Sequence, residues 1–248
     1  MPKIVKNRIG EIAYNSYGNK MVLVEYNSAI DIIVQFENGY KSKSRYDHFI
    51  KGSIKSPYDK SVFGVGYLGE GKYSNLNSNQ HNIWQSMLNR CYYPNALKRN
   101  PTYIGCTVAD EWHNYQNFAK WYDENYYEIE DQQTQLDKDI LYKGNKLYSP
   151  ETCIFVPEKI NTIFTKSNAK RGAYPIGVSA HKDNYQSRCK DNNDKSIYLG
   201  LYNTPEEAFS EYKKYKEQLI KKLANDYKTV IPVKLYNALY NYKVEITD

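Results

Sequence analysis

"YPIGVSAHKDNYQSRCKDNNDKSIYLGLYNTPEEAFSEY" (residues 174–212) decides how the last third of the chain folds. It divides into "YPIGVSAHKDN", "YQSRCKDNND" and "KSIYLGLYNT". Each is a short run alternating in polarity, closed by a turn rich in Asp and Asn. That pattern predicts three β-strands. The period then changes. Thr204 has the chemistry of a helix N-cap and Pro205 of a first helical residue, and Glu206 and Glu207 lie where the helix dipole favours negative charge. Ala208, Tyr212, Tyr215, Leu219 and Leu223 form the apolar stripe of a helix within residues 204–227. "IPVKLYNALYNYKVEI" (231–246) reads as a further short helix packing back.

Upstream lies "LDKDILYKGNKLYSPETCIFVPEKIN" (136–161). Asp137 and Asp139 alternate with Leu136, Lys138 and Ile140, as on a half-exposed strand. "KGN" suits a hairpin turn, Ser149 suits a cap, and Cys153, Phe155 and Val156 suit a core. Residues 80–92 and 114–126 carry helical stripes: Ile83, Trp84, Met87, Leu88 and Cys91 in the first, Tyr115, Phe118, Ala119 and Tyr122 in the second. These aromatics fit a core, and base stacking is the alternative. "YPNALKRNPTY" (93–103) reads as a loop, and "GCTVADEW" as a short strand or turn.

Near the start, "MVLVEY" (21–26) and "IDIIVQF" (30–36) are β-rich, and the Glu-Asn-Gly turn of "ENGYKSK" leads into another strand. A small sheet or SH3-like barrel fits. "YDHFIKGSIKSPY" (46–58) reads as a last strand and exit loop, or as a basic and aromatic contact to a nucleic-acid backbone. "GVGYLGEGKYSNLNSN" (64–79) holds four glycines and reads as a loop or linker. No G-K-[ST] follows to make it a phosphate cradle.

Composition bounds the partners. The chain has 248 residues, of which 41% are hydrophobic, room for one large domain or two to three small ones. Tyr outnumbers Phe 27 to 7, which predicts small cores and an aromatic surface. The formal charge is +6, mildly basic, and seven basic residues (Lys166, Lys170, Arg171, Lys182, Arg188, Lys190 and Lys195) against three acidic ones concentrate it between Lys166 and Lys195. Nucleic acid is thus an expected partner. The four cysteines form no C-x-x-C pair, which argues against a zinc knuckle. The opening "MPKIVKNRIGEIAYNS" has no apolar signal core, and no run approaches a membrane span. The expectation is a cytoplasmic protein with reduced thiols and no membrane partner.

"IGVSAHKDNYQSRCK" and "IYLGLYNTPEEAFSEY" together resemble an AP2/ERF DNA-binding domain: Gly-Val, an aromatic opening the second strand, then aromatic-Leu-Gly-x-aromatic and a Glu-Glu-Ala helix start. The resemblance covers residues 174–223 and implies a three-stranded antiparallel sheet laid in the major groove, backed by a helix. It implies that Ser179, His181, Arg188, Lys190 and Tyr198 face DNA, while Val178, Ala180, Cys189, Leu199 and Leu201 pack on the helix. Arg188 suits a guanine edge, and Lys182, Lys190 and Lys195 suit phosphates. Ser179 stands where the family commonly has Arg. A solvated sheet with ordinary surface lysines is the plain alternative.

"IWQSMLNRCYYP", "PTYIGCTVADEWHNYQNFAKWY", "LDKDILYKGNKLYSPETCIFVP" and "EKIN" together resemble an HNH (ββα-metal) endonuclease family found in bacteriophage genomes. An AP2/ERF domain after such a module resembles phage homing-type endonucleases. The family site implies a metal-binding Asp at Asp137, a late Asn at Asn161, and Mg²⁺ or Mn²⁺ at the scissile phosphate. The general-base His of the family is Lys138 here, and its central Asn is Thr152. A lysine is ordinarily protonated at neutral pH, so Asp139 or a metal hydroxide would have to act as base, or the site no longer cuts. His113 is either brought in by the fold or a surface helix residue.

The expected class is α+β: an SH3-like β module at 1–62, a helix-rich HNH-like ββα module at 80–168, and an AP2-like sheet and helix with a helical tail at 170–248. The expected function is sequence-dependent binding of double-stranded DNA with metal-dependent cleavage through Asp137, Lys138 and Asp139. The alternatives are a non-catalytic DNA-binding regulator, or a factor whose N-terminal module engages a host protein to block a defence system.

Overall fold

Short runs of β-branched and aromatic residues, broken by Gly and Asn turns, build the first part of the chain. The computed structural model describes residues 8–164 and 173–246. Lys166, Ala169, Lys170 and Arg171, at the start of the basic segment, lie outside the described residues. The chain is mixed α+β with antiparallel sheets, and it divides into two units, Met1–Glu124 and Asn125–Asp248.

In the first unit, β1 (Ile12–Tyr14), β2 (Lys20–Ser28), β3 (Asp31–Phe36) and β4 (Lys41–Ser44) form an antiparallel meander in chain order. Met21 and Leu23 face Phe36 and Val34 across the β2–β3 ladder, so these two strands are apolar on one side, which Ser42 and Ser44 of β4 extend at its edge. Gly39, at φ +89°, closes the predicted turn with its N–H on the Phe36 carbonyl at 2.9 Å. In β1 the small Ala13 alone turns to the core while the larger Ile12 and Tyr14 both point to solvent, the reverse of what hydrophobicity in the sequence suggests. Residues 46–58 do not form the expected last strand. Tyr46–Ile50 is a helical turn, α1, whose Phe49 fills the sheet's core together with Ile54. The buried Asp59 then pins the exit loop. It accepts hydrogen bonds from Asn15 Nδ2 (2.8 Å), Asn19 Nδ2 (2.7 Å) and the Ser56 N–H (2.8 Å).

The helical stripes are where periodicity places them, in α2 (Asn79–Tyr92) and later α4 (Tyr115–Asn125). Ser78 caps α2, and Trp84 Nε1 donates to the Trp112 carbonyl at 2.7 Å. The expected loop after α2 instead contains α3 (Pro94–Arg99), with proline at its first position, followed by β5 (Thr107–Val108). Pro94 pre-sets helical φ and costs no needed N–H there. The four-glycine stretch is a loop, and its glycines permit close approach. A Cβ on Gly66 would overlap Leu88 and Trp84, one on Gly69 would overlap the Asn114 side chain, and one on Gly71 would overlap Gln116.

The second unit opens with β6 (Thr134–Asp137), β7 (Leu147–Tyr148) and β8 (Ile154–Pro157), and β6 and β8 pair antiparallel. The helix α5 (Glu158–Ile163) follows. The strands β9 (Val178–His181), β10 (Asn184–Lys190) and β11 (Ser196–Tyr202) form an antiparallel sheet with β10 in the centre. Against it lies α6 (Pro205–Asp226), then α7 (Val233–Tyr240). Thr204 caps α6 as expected, and Glu207 completes a capping box by accepting from the Thr204 N–H. One apolar core joins Ile154, Val156 and Ile160 of the hairpin region to Ile220 and Ala224 of α6 and Leu235 and Leu239 of α7. Hence the hairpin and the three-stranded module share a core. Each such buried aliphatic side chain contributes on the order of 1.5–3 kcal/mol.

Candidate nucleic-acid interface

The sheet presents two unlike faces because strand side chains alternate. On the helix side, Cys189, Val178 and Leu199 pack with Phe209 and Tyr212. Gly177 lets the chain enter β9 under this helix: its φ is +77°, and a Cβ there would overlap the Tyr212 ring. Burial raises the pKa of the Cys189 thiol, which marks it as a core group rather than a nucleophile.

Ala180 and Leu201 do not pack on the helix as expected. Both are exposed, Leu201 by 45%. The cause at Leu201 is a β-bulge. Arg188 pairs with Tyr198 but Ser187 pairs with Gly200, so Leu199 is an extra residue. Alternation slips by one, and Leu201 turns to the open face opposite Gln186. Ala180 pairs with Tyr185 near the end of β9, at the margin of the sheet.

All seven residues nominated for DNA contact are exposed. Register puts Ser179, Gln186 and Leu201 in one row across three strands, with Arg188 and Tyr198 paired in the next. The Arg188 guanidinium lies 5.4 Å from the Tyr198 ring centroid, and its Nε donates to Gln186 Oε1 at 3.3 Å. Gln186 Nε2 in turn donates to Ser179 Oγ at 3.1 Å. His181 and Lys190 lie toward opposite ends of the same face. Lys182, at φ +52°, occupies the β9–β10 turn, and Lys195 the β10–β11 turn. Lys190 Nζ meets Asp194 at 2.7 Å, an exposed pair that a phosphate could replace at little cost. Asp191 spends Oδ1 on the N–H groups of Asn193 and Lys195, 2.9 Å each, shaping that turn. Gln186 was legible from its period-2 spacing with Arg188. Leu201 was signalled only by Gly200 inside a strand, a mark of a bulge.

The hairpin of 136–161 is differently made. β6 ends at Asp137, and the chain bends through 138–140 instead of continuing as a strand. Asp137 Oδ1 accepts the N–H groups of Asp139 (2.9 Å) and Ile140 (2.7 Å). Burial, then the neighbouring Asp139 charge, raise the pKa of its carboxyl. Lys138 is buried and donates to Asp139 Oδ2 at 3.0 Å. Asn145 Nδ2 ties the turn by donating to the carbonyls of Lys138 (2.7 Å) and Leu147 (2.6 Å). Thr152 holds the same loop through the Leu147 carbonyl at 2.7 Å. Asn161 stands on α5 and donates to Gln135 Oε1 at 2.6 Å. Gln135 and Asp137 share one face of β6, so Asn161 lies over the side that Asp137 also faces. Cys153 is buried below, its thiol pushed up to about 12 by burial. His113 is in the other unit, near Tyr92 and Asp110.

Among the described residues no group of three or more His, Cys, Asp or Glu could hold a metal ion. Asp137 and Asn161 offer the donor types a hard divalent cation takes, a carboxylate and an amide oxygen. Their hydrogen bonds use Asp137 Oδ1 and Asn161 Nδ2, which leaves Asp137 Oδ2 and Asn161 Oδ1 as the fitting donors. Among the described residues no helix is long and apolar enough to cross a membrane. No family model, curated protein or solved structure matches the chain.

Proposed function

We propose that this chain binds double-stranded DNA in a sequence-dependent way through the open face of the β9–β10–β11 sheet, acting as an AP2/ERF-type module. The observation that carries this reading is the arrangement of Arg188. It is exposed, backed by an aromatic ring, and oriented by Gln186 at the centre of a face whose two ends carry lysines. Arg held in one plane suits bidentate recognition of guanine O6 and N7. The seven residues of β10 give a strip of roughly 20 Å between the turns. That exceeds the major groove width of about 12 Å. Lys182 and Lys195 would therefore reach phosphates on either side while the strip between them meets base edges.

The test is titration of labelled duplex at two salt concentrations. Arg188→Ala is expected to weaken binding to the preferred sequence by about 1–3 kcal/mol. Lys182→Ala and Lys195→Ala are each expected to lower the salt slope by about 1 while affecting all sequences alike. Unchanged affinity of Arg188→Ala at both salts would defeat this face as the interface.

A second reading, metal-dependent cleavage by an HNH-like site, is favoured by one feature: the disfavoured charge on Asp137, which a cation would relieve. Asp137 and Asn161 would hold Mg²⁺ or Mn²⁺, which supplies charge neutralisation at a scissile phosphate. Lys138 is committed to Asp139, so it is a poor proton acceptor in this arrangement. Supercoiled plasmid with either metal separates the readings. Nicking that disappears in Asp137→Ala supports cleavage, and intact plasmid with retained DNA binding leaves a non-catalytic binder.

A further inference from the structure

Resting on the DNA-binding reading, we infer that Gln186 and Leu201 form a second base-reading element, selecting an A·T pair within about two base pairs of the guanine read by Arg188. The carboxamide of Gln186 has two N–H donors and an oxygen with two lone pairs. One donor is used by Ser179 Oγ at 3.1 Å, and one lone pair by Arg188 Nε at 3.3 Å. One donor and one acceptor remain, on a group whose plane is fixed from both sides. Adenine presents N7 as acceptor and N6–H as donor in the major groove, the complement of that pair.

Leu201 supplies the other half. It sits directly opposite Gln186 in the β10–β11 ladder, on the same face, and is 45% exposed only because the bulge at Leu199 and Gly200 turns it there. An aliphatic side chain beside an adenine-reading amide matches the thymine C5-methyl group of the same pair. The spacing also fits. Adjacent same-face rows along a strand are roughly 7 Å apart, within the major groove width of about 12 Å, so both elements reach the same short run of base pairs.

Selection from randomised duplexes with wild type, Gln186→Ala and Leu201→Ala tests this, followed by affinities on the selected site. Wild type is expected to enrich a G with an A·T pair within two positions. Gln186→Ala is expected to keep the G preference and lose about 5- to 150-fold discrimination at the A·T pair. Replacing that thymine by deoxyuridine, which removes the methyl, is expected to weaken wild type about fourfold and leave Leu201→Ala unchanged. Gln186→Ala retaining the full A·T preference, or losing all sequences by one common factor, overturns this inference while DNA binding stands. A wild type that binds no duplex overturns the DNA reading and this one with it. Both substitutions are on an exposed face, and a melting curve matching wild type confirms intact folding.

Discussion

The open sheet face and the 136–161 hairpin belong to one unit and carry similar polar chemistry, yet they spend it oppositely. In the hairpin, Asp137, Asn145 and Thr152 direct their side chains at backbone groups, and Lys138 is buried on Asp139. Those residues hold the shape of a loop. On the sheet, Ser179, Gln186, Arg188 and Tyr198 bind mainly one another, and all but the half-buried Gln186 are exposed. Those residues are oriented while keeping hydrogen-bonding capacity toward solvent. Polar residues that complete a backbone are ill suited to leave it for a ligand, so the sheet is the better recognition surface.

Stability measurements should divide the two regions most sharply. Asn145→Ala leaves two carbonyls without their donor and is expected to cost about 1–3 kcal/mol in chemical denaturation. Gln186→Ala, on the exposed face, should stay within about 0.5 kcal/mol of wild type. Equal losses would erase the distinction between them.

A smaller effect probes the hairpin's charge. The pKa of Asp137 is raised in the folded state, so folding favours its protonated form. The stabilisation this gives is present below the ordinary carboxylate range and is lost as pH rises through the raised value. Asp137→Asn preserves the Oδ1 acceptor and removes the charge. Its stability relative to wild type should therefore climb with pH above that range and level off once pH has passed the raised value, as read from denaturation midpoints across pH. A difference that falls with pH would mean the carboxylate is stabilised as an ion, chiefly by the N–H groups of Ile140 and Asp139. The smallest effect belongs to the exposed Lys190–Asp194 pair: Asp194→Ala should change stability by about 0–1 kcal/mol.

Much of this is legible in the sequence. The strands β9 to β11, the Thr204 cap, and the stripes of α2 and α4 follow from periods of 2 and 3.6 and from turn and cap residues, all local signals. Misreadings arose where a local pattern was outweighed. Residues 46–50 became a helix because Phe49 is needed under the sheet. Leu201 turned outward because a bulge reverses alternation, and nothing in the run "IYLGLY" besides its glycine announces that slip. The 64–79 glycines gave no view of their partners, since Trp84, Asn114 and Gln116 are distant in sequence. At the candidate site, residue types were legible, but how each polar atom is spent was not, because that depends on bonds across strands.

Amide chemical-shift mapping of the intact chain, on adding a duplex selected by it, tests the central claim most directly. The account predicts the largest shifts at Ser179, Gln186, Arg188, Tyr198 and Leu201, smaller ones at Lys182 and Lys195, and near silence at Asn145 and Thr152. Shifts concentrated on the hairpin or on the β1–β4 sheet, with the β10 face unchanged, would contradict it.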